Sequence, residues 1–341
     1  CVYETASRGG KLFLAWNVGE LTQEYFAIPS WITGIILAIL VGAVILGGIK
    51  RIGKVTATLV PFMCGLYLLA GTYVLIVNAS DIPAMLVLIV KYAFVPTEAA
   101  GAFVGGTAAA AFVFGMKRAI FSNEAGQGSS PIAHSAAKTD EPVREGIVAG
   151  LEPFIDTIVV CTFTALIILS TGIWNRDVDV TLDTLPDVSR TEAGWQFSAT
   201  PVPGDDWRDG DTAILIVSAH ERDGGFDRHK VEGLLARDEA GFVVSWEPIV
   251  SDVEPRIVGD GLYKTYIGAT LTAKAFDSVA PGLGKWLVSI AAWMFAISTM
   301  ISWAYYGEQG VVFLAGDRAV LAWKIYYCAL TVIATLGFIQ S

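Results

Sequence analysis

Long apolar runs free of ionisable side chains alternate with short polar stretches along most of the chain. Between Glu24 and Lys50 lie 25 uncharged residues, with the apolar core WITGIILAILVGAVILGG at 31–48, and between Lys54 and Asp81 lie 26 more. About 20 apolar residues in a helix cross the hydrocarbon of a bilayer, so both runs predict membrane spans. A Gly- and Ala-rich run at 99–116 predicts a third, 147–172 a fourth and 286–306 a fifth; a sixth begins near Ala319. The stretch DIPAMLVLIVKYAFVPTEAAG is apolar but carries Lys91, Pro83 and Pro96. Its uninterrupted part is too short to cross, and it predicts an interfacial helix. Residues 1–26 are mixed and predict an outer loop with a short helix. The chain opens at Cys1 and stops at Ser341 directly after an apolar run, and is read as a fragment.

Basic residues in short loops set orientation. Lys50, Arg51 and Lys54 follow the first span, and Lys117, Arg118, Lys138 and Arg144 lie between the third and fourth. Both loops are therefore cytoplasmic, and the long connection between the fourth and fifth spans lies outside. From 173 to 262 the chain changes character: 19 acidic residues stand against 8 basic ones, and alternating stretches such as TAILIVSAHE and GFVVSWEPIV read as strands. The expected organisation is a membrane domain over 1–172, an acidic β-rich extracytoplasmic insert over 173–262, and a second membrane part over 263–341.

Composition narrows the class. The chain is 54% hydrophobic and 16% charged, with a mean hydropathy of +0.56, where a soluble domain carries about 25% charged residues. A net charge of -10 argues against nucleic acid as a partner. Cys64, Cys161 and Cys328 sit in apolar runs, so no disulfide or metal spacing emerges. The sequence holds no GxSxG, P-loop or HExxH motif, so no enzyme chemistry and no cofactor is expected. The lipid bilayer is the first partner; oligomeric state is not legible.

The most informative stretch is GMKRAIFSNEAGQGSSPIAHSAAKTDEPVREG at 115–146. Irregular, Gly-rich backbone beside spanning helices survives where it is buried in protein or lines a water-filled path, although a solvated loop has the same composition. The motifs GGIKRIGKVTATLVPFMCGLY at 47–67, KRAIFSNEAGQGSSPIAHSAAKTDEPVREG at 117–146, EPFIDTIVVCTFTALIIL at 152–169 and ISTMISWAYYGEQ at 297–309 together resemble the sodium:alanine (alanine or glycine:cation) symporters. The likeness covers roughly the chain outside 173–262, and the acidic insert is its main departure.

That resemblance implies a leucine-transporter-type inverted-repeat fold, an all-α integral membrane bundle, here partial and carrying the inserted β-rich domain. The six spans would be its fourth to ninth helices, with the first three and the tenth absent. It also implies sodium at the adjacent hydroxyls Ser298 and Thr299, with the Phe295 carbonyl from the turn before; a hard cation takes oxygen ligands. Membrane hydroxyls also back-bond to their own helix, and that alternative stays open. Thr299 and Trp303 share a helix face and could meet a small amino acid, though Trp303 also suits an interfacial belt. Gly105, Gly106 and Thr107 would face substrate, or simply pack helices closely. Phe121, Ser122, Asn123 and Glu124 would close the pocket or form a cytoplasmic gate.

Glu152 and Asp156 are ionisable groups inside a span and candidates for function; pairing with Lys138 or Arg144 at the interface is the competing expectation. His134 is expected to be packed or hydrated, and His220 and His229 lack metal-spaced partners. The function expected is a sodium-coupled symporter in the cell membrane that imports a small neutral amino acid, alanine or glycine, by alternating access. The alternatives are a membrane receptor with a ligand-binding outer domain, and a channel.

Overall fold

The computed structural model describes residues 10–94, 108–124, 128–192, 194–204, 207–222, 225–238, 241–251, 253–266 and 268–336. The chain divides into two compact units. One is helical and draws on the described residues of Cys1–Leu86, Val113–Ile173 and Ile267–Ser341; the other draws on Val87–Phe112 and Trp174–Tyr266.

The helices, in order, are α1 (Gly10–Phe26), α2 (Ser30–Ile45), α3 (Gly48–Val77), α4 (Ile82–Phe94), α5 (Ala108–Ser122), α6 (Ser130–Ser135) and α7 (Pro142–Pro153). A π-helical stretch, Phe154–Cys161, carries α7 into α8 (Thr162–Ser170); then follow α9 (Ala269–Val279), α10 (Ser289–Ala315) after a second π turn at Gly284–Val288, and α11 (Val320–Ala334). One core joins Leu12, Ala15 and Val18 of α1, Leu37, Val41 and Ile45 of α2, Ala296, Met300 and Ile301 of α10, and Trp323 and Tyr327 of α11. Two indole and phenol donors fix α11 on α10: Tyr327 donates to the Met300 carbonyl at 2.7 Å and Trp323 to that of Ala304 at 3.2 Å. Glycine permits close approach of the two helices, since a Cβ on Gly307 would run into the Trp323 ring. A second core gathers Ala70 and Val74 of α3, Ile167 of α8 and Phe276 of α9.

Three helical stretches among the described residues are long and apolar enough to cross a membrane: Gly48–Val77, Pro142–Ser170 and Gly284–Ala315. The first run of the sequence yields only the 16 residues of α2, about 24 Å at 1.5 Å per residue and short of a 30 Å hydrocarbon core. An uncharged gap overstates helix length here, because α2 starts after Pro29 and stops at Ile45, a turn at 46–47 leading to Gly48 in the left-handed region at φ 71°. The helix expected within residues 1–26 is present and longer than a loop element, and α1 contributes Ala15 and Leu21 to the cores, both fully buried.

The expected all-α, leucine-transporter-type bundle is not the fold observed. Among the described residues three helical stretches reach spanning length where the apolar runs predict six, and a large antiparallel sheet forms a unit of its own. Local motifs record which segments are apolar; they do not encode how many helices reach full length or how they pair.

The strands are β1 (Val180–Thr181), β2 (Val188–Thr191), β3 (Gly194–Phe197), β4 (Thr200–Val202), β5 (Thr212–Arg222), β6 (Gly225–Asp238), β7 (Gly241–Trp246), β8 (Arg256–Ile257) and β9 (Gly261–Lys264). They form an antiparallel sheet of order β1-β9-β5-β6-β7-β4, with β8 on β5 and a separate β2-β3 hairpin. Alternation along β5 sends Ala213, Leu215, Val217 and Ala219 into a core with Val231, Leu235, Val244 and Trp246. The Trp246 indole is satisfied there by Thr200 Oγ1 at 2.9 Å.

Candidate functional site

Gly105, Gly106 and Thr107 lie outside the described residues. Phe121 is in the last turn of α5, followed by Ser122 at its end and then Asn123. The Ser122 hydroxyl donates to Asp156 Oδ2 at 2.6 Å and the Asn123 amide donates to Thr157 Oγ1 at 3.3 Å. Both partners lie in the π-helical stretch Phe154–Cys161. Next in the chain, Glu124 takes the left-handed conformation, φ 56°, a backbone state uncommon outside glycine. Its Oε2 is buried and has no hydrogen-bond partner among the described residues. Burial pushes the Glu124 carboxyl above its ordinary range, the Ser129 hydroxyl pulls it part of the way back, and the Glu152 charge raises it again.

His134, on α6, bridges two carboxylates of α7. Its Nδ1 stands 2.6 Å from Glu145 Oε1 and its Nε2 3.3 Å from Glu152 Oε2. The hydrogen bond with Glu145 is the main force raising its pKa, with burial opposing and Glu152 adding. Neither expected basic partner of the carboxylate pair is engaged with it: Arg144 pairs with Glu141 at 3.3 Å, Glu152 with His134, and Asp156 with hydroxyls. Histidine wins because α6 lies against α7 and brings it over the Glu145–Glu152 face, whereas Arg144 points along its own first turn.

On α10 the buried Ser298 donates to the Phe295 carbonyl at 2.9 Å, and its own carbonyl accepts from Ser302 at 3.1 Å. This is the back-bonding that the sequence left open. It ties together two of the three oxygens assigned to sodium, while the Phe295 ring is itself half exposed and Thr299 half-buried. Trp303 is 3% exposed, a core side chain within this unit. It packs edge-on against Tyr306, centroids 5.6 Å apart, and Ile132 of α6 closes on the pair. Tyr306 is within electrostatic reach of Glu124 and Glu152. The structure thus brings Trp303 and Glu124 to one region around α6, sets Ser122 and Asn123 against Asp156 and Thr157, and leaves Ser298 in its own helix.

Sequence reasoning missed one feature. Lys324 of α11 pairs with Glu308 of α10 at 3.1 Å, with side chains only 10% and 17% exposed. The signal was present: Lys324 is the sole Lys, Arg, Asp or Glu after Arg318 in an otherwise apolar run.

Helices long and apolar enough to cross a membrane, with carboxylates, a histidine and hydroxyls along one of them, point to an integral membrane protein. Its lineage is equally plain. The chain belongs to the sodium:alanine symporter family, whose model matches residues 2–194 and 251–341. Residues 195–250, which hold β4 to β7, fall outside that match. The chain is 31% identical over 338 residues to the sodium/alanine symporter AgcS of Methanococcus maripaludis, covering 96% of this chain and 54% of the relative. It is 30% identical over 318 residues to the putative sodium/proton-dependent alanine carrier protein YrbD of Bacillus subtilis, covering 92% and 50%. An uncharacterized transporter of Haemophilus influenzae is 30% identical over 309 residues, covering 90% and 49%. The chain spans about half the length of the curated relatives it matches. These relatives are named as transporters, symporters or carriers, not as enzymes or receptors.

Proposed function

We propose that the whole protein imports a small neutral amino acid, alanine or glycine, together with sodium, by alternating access across the cell membrane. The observation that carries this reading is the family match on both sides of residues 195–250, supported by relatives named for sodium and alanine. In this reading the Phe295 carbonyl, Ser298 and Thr299 hold the cation. Thr299, Trp303, Phe121, Ser122, Asn123 and Glu124, with Gly105, Gly106 and Thr107, border the substrate. The acidic segment 173–262 lies outside the membrane as a separate inserted domain between two membrane parts, 1–172 and 263–341.

Ser298 must exchange its bond to Phe295 for the ion. That exchange is inexpensive, since the carbonyl and hydroxyl oxygens are already 2.9 Å apart and both can turn lone pairs to one cation. Coupling then follows from linkage: each ligand shifts the conformational equilibrium only by its differential affinity, so sodium and substrate must favour the same state.

The test is uptake of labelled alanine into proteoliposomes holding the full-length protein, under an inward sodium gradient, with glycine and larger amino acids as competitors. Saturable, gradient-driven uptake inhibited by the small neutral competitors supports the reading. Non-saturating flux, or uptake indifferent to the sodium gradient, overturns it.

A further inference from the structure

Asp156 stands at the centre of the 29-residue stretch Pro142–Ser170, one of the three that can cross a membrane. The helix widens to π geometry there, over Phe154–Cys161, a distortion often found at functional sites. The half-buried carboxylate accepts from Ser122 Oγ at 2.6 Å and from Thr157 Oγ1 at 3.5 Å, and the Thr157 oxygen in turn accepts from the Asn123 amide at 3.3 Å. Among the described residues no Lys, Arg or His pairs with Asp156. His134 pairs instead with Glu145 and Glu152, and Arg144 with Glu141.

Hydroxyl dipoles solvate a carboxylate but do not neutralise it, and an uncompensated charge at membrane depth is costly. Among the described side chains no basic group supplies the balancing charge, and a proton or a cation can. The donor set is one carboxylate with two hydroxyl oxygens on adjoining elements, all hard oxygens with no imidazole or thiolate. That set suits an alkali cation better than a transition metal.

We propose that Asp156, Ser122 and Thr157 form a sodium site separate from the α10 oxygens, with Asn123 as a positioning residue that orients Thr157 Oγ1. Sodium there screens the Asp156 charge and clips the end of α5 to the π-helical stretch. Occupancy of this site therefore favours the conformations in which α5 and that stretch are held together. The proposal takes only the identity of the cation from the transport reading.

The experiment measures binding of radiolabelled sodium to the detergent-purified full-length protein without substrate, in wild type, Asp156→Asn, Asp156→Glu and Thr299→Val. Sodium activation of uptake is measured in parallel. Wild type is expected to bind two ions. Asp156→Asn should lose one, with half-saturating sodium raised about tenfold or more, as loss of a charged ligand implies; Asp156→Glu should recover part of it. Unchanged sodium binding in Asp156→Asn that elutes as folded protein overturns the proposal. So does loss of pH dependence with sodium binding intact, which assigns a proton to Asp156. Failure of the transport reading is read separately, as wild-type uptake indifferent to sodium, and leaves the binding comparison standing.

Discussion

Lys324 and Glu308 form an ion pair between α11 and the helix that carries Ser298, Thr299 and Trp303, and their separation can be tested quantitatively. The pair is 3.1 Å long and its side chains are 10% and 17% exposed, so water screens it little. Replacing Lys324 with Met strands the Glu308 charge, and replacing Glu308 with Gln strands the ammonium. Breaking one half of a buried pair costs about 3–5 kcal/mol, whereas replacing both halves together is often nearly neutral. At about 2 °C per kcal/mol for a chain of this size, each single variant should lower the apparent unfolding midpoint by about 6 °C or more. The double variant should recover most of that loss, giving a coupling energy of opposite sign to the single costs. The assay is thermal unfolding of the purified protein in detergent at fixed scan rate, since such unfolding is a rate measurement. Single variants within about 1 kcal/mol of wild type, or a double variant as damaged as the worse single, would refute the claim that this contact is buried and specific.

Three further outcomes are expected. His134 has its pKa raised above 6.5 by Glu145 and Glu152, so the bridge is fully favourable below that value and weakens as pH rises through the elevated pKa. Protection of 130–135 from hydrogen exchange should fall with rising pH, and His134→Gln should flatten that dependence; an unchanged profile in the variant counts against the bridge. A Gly307→Ala Cβ would run into the Trp323 ring, and the ring is held by its bond to Ala304, so overpacking should cost about 1–3 kcal/mol in unfolding. In the sheet unit, Thr200→Val leaves the buried Trp246 indole without its acceptor and should cost about 1–3 kcal/mol in a fluorescence-monitored denaturant titration; an unshifted midpoint contradicts that contact.

Some of this architecture is legible in residue order and some is not, for physical reasons. Runs without charge over helical lengths identify α3, the Pro142–Ser170 stretch and α10, because lipid tolerates little else. Alternation identifies β5 and β7, where each second side chain enters one core. The role of α1 was hidden because its polar residues find partners far along the chain: Tyr25 donates to Asp277 at 2.7 Å, and Glu24 pairs with Lys274 at 3.4 Å. A mixed composition therefore reads as an outer loop until those partners are placed. The partner of Glu152 was hidden likewise: Lys138 or Arg144 was the expected pairing, and the helix packing delivers His134. The family was recognisable from motifs, each a local property. The helical arrangement was not, because the number of full-length crossings depends on where Pro29 and Gly48 break an apolar run.

Sodium activation of alanine uptake by Thr299→Val, normalised to the amount of full-length protein in the vesicle membrane, bears most heavily on the transport reading. Loss of one oxygen ligand with no change in side-chain shape predicts near-normal insertion and half-saturating sodium raised about tenfold, with substrate affinity restored at high sodium. A variant whose sodium curve superimposes on that of wild type would contradict the assignment of the ion to α10.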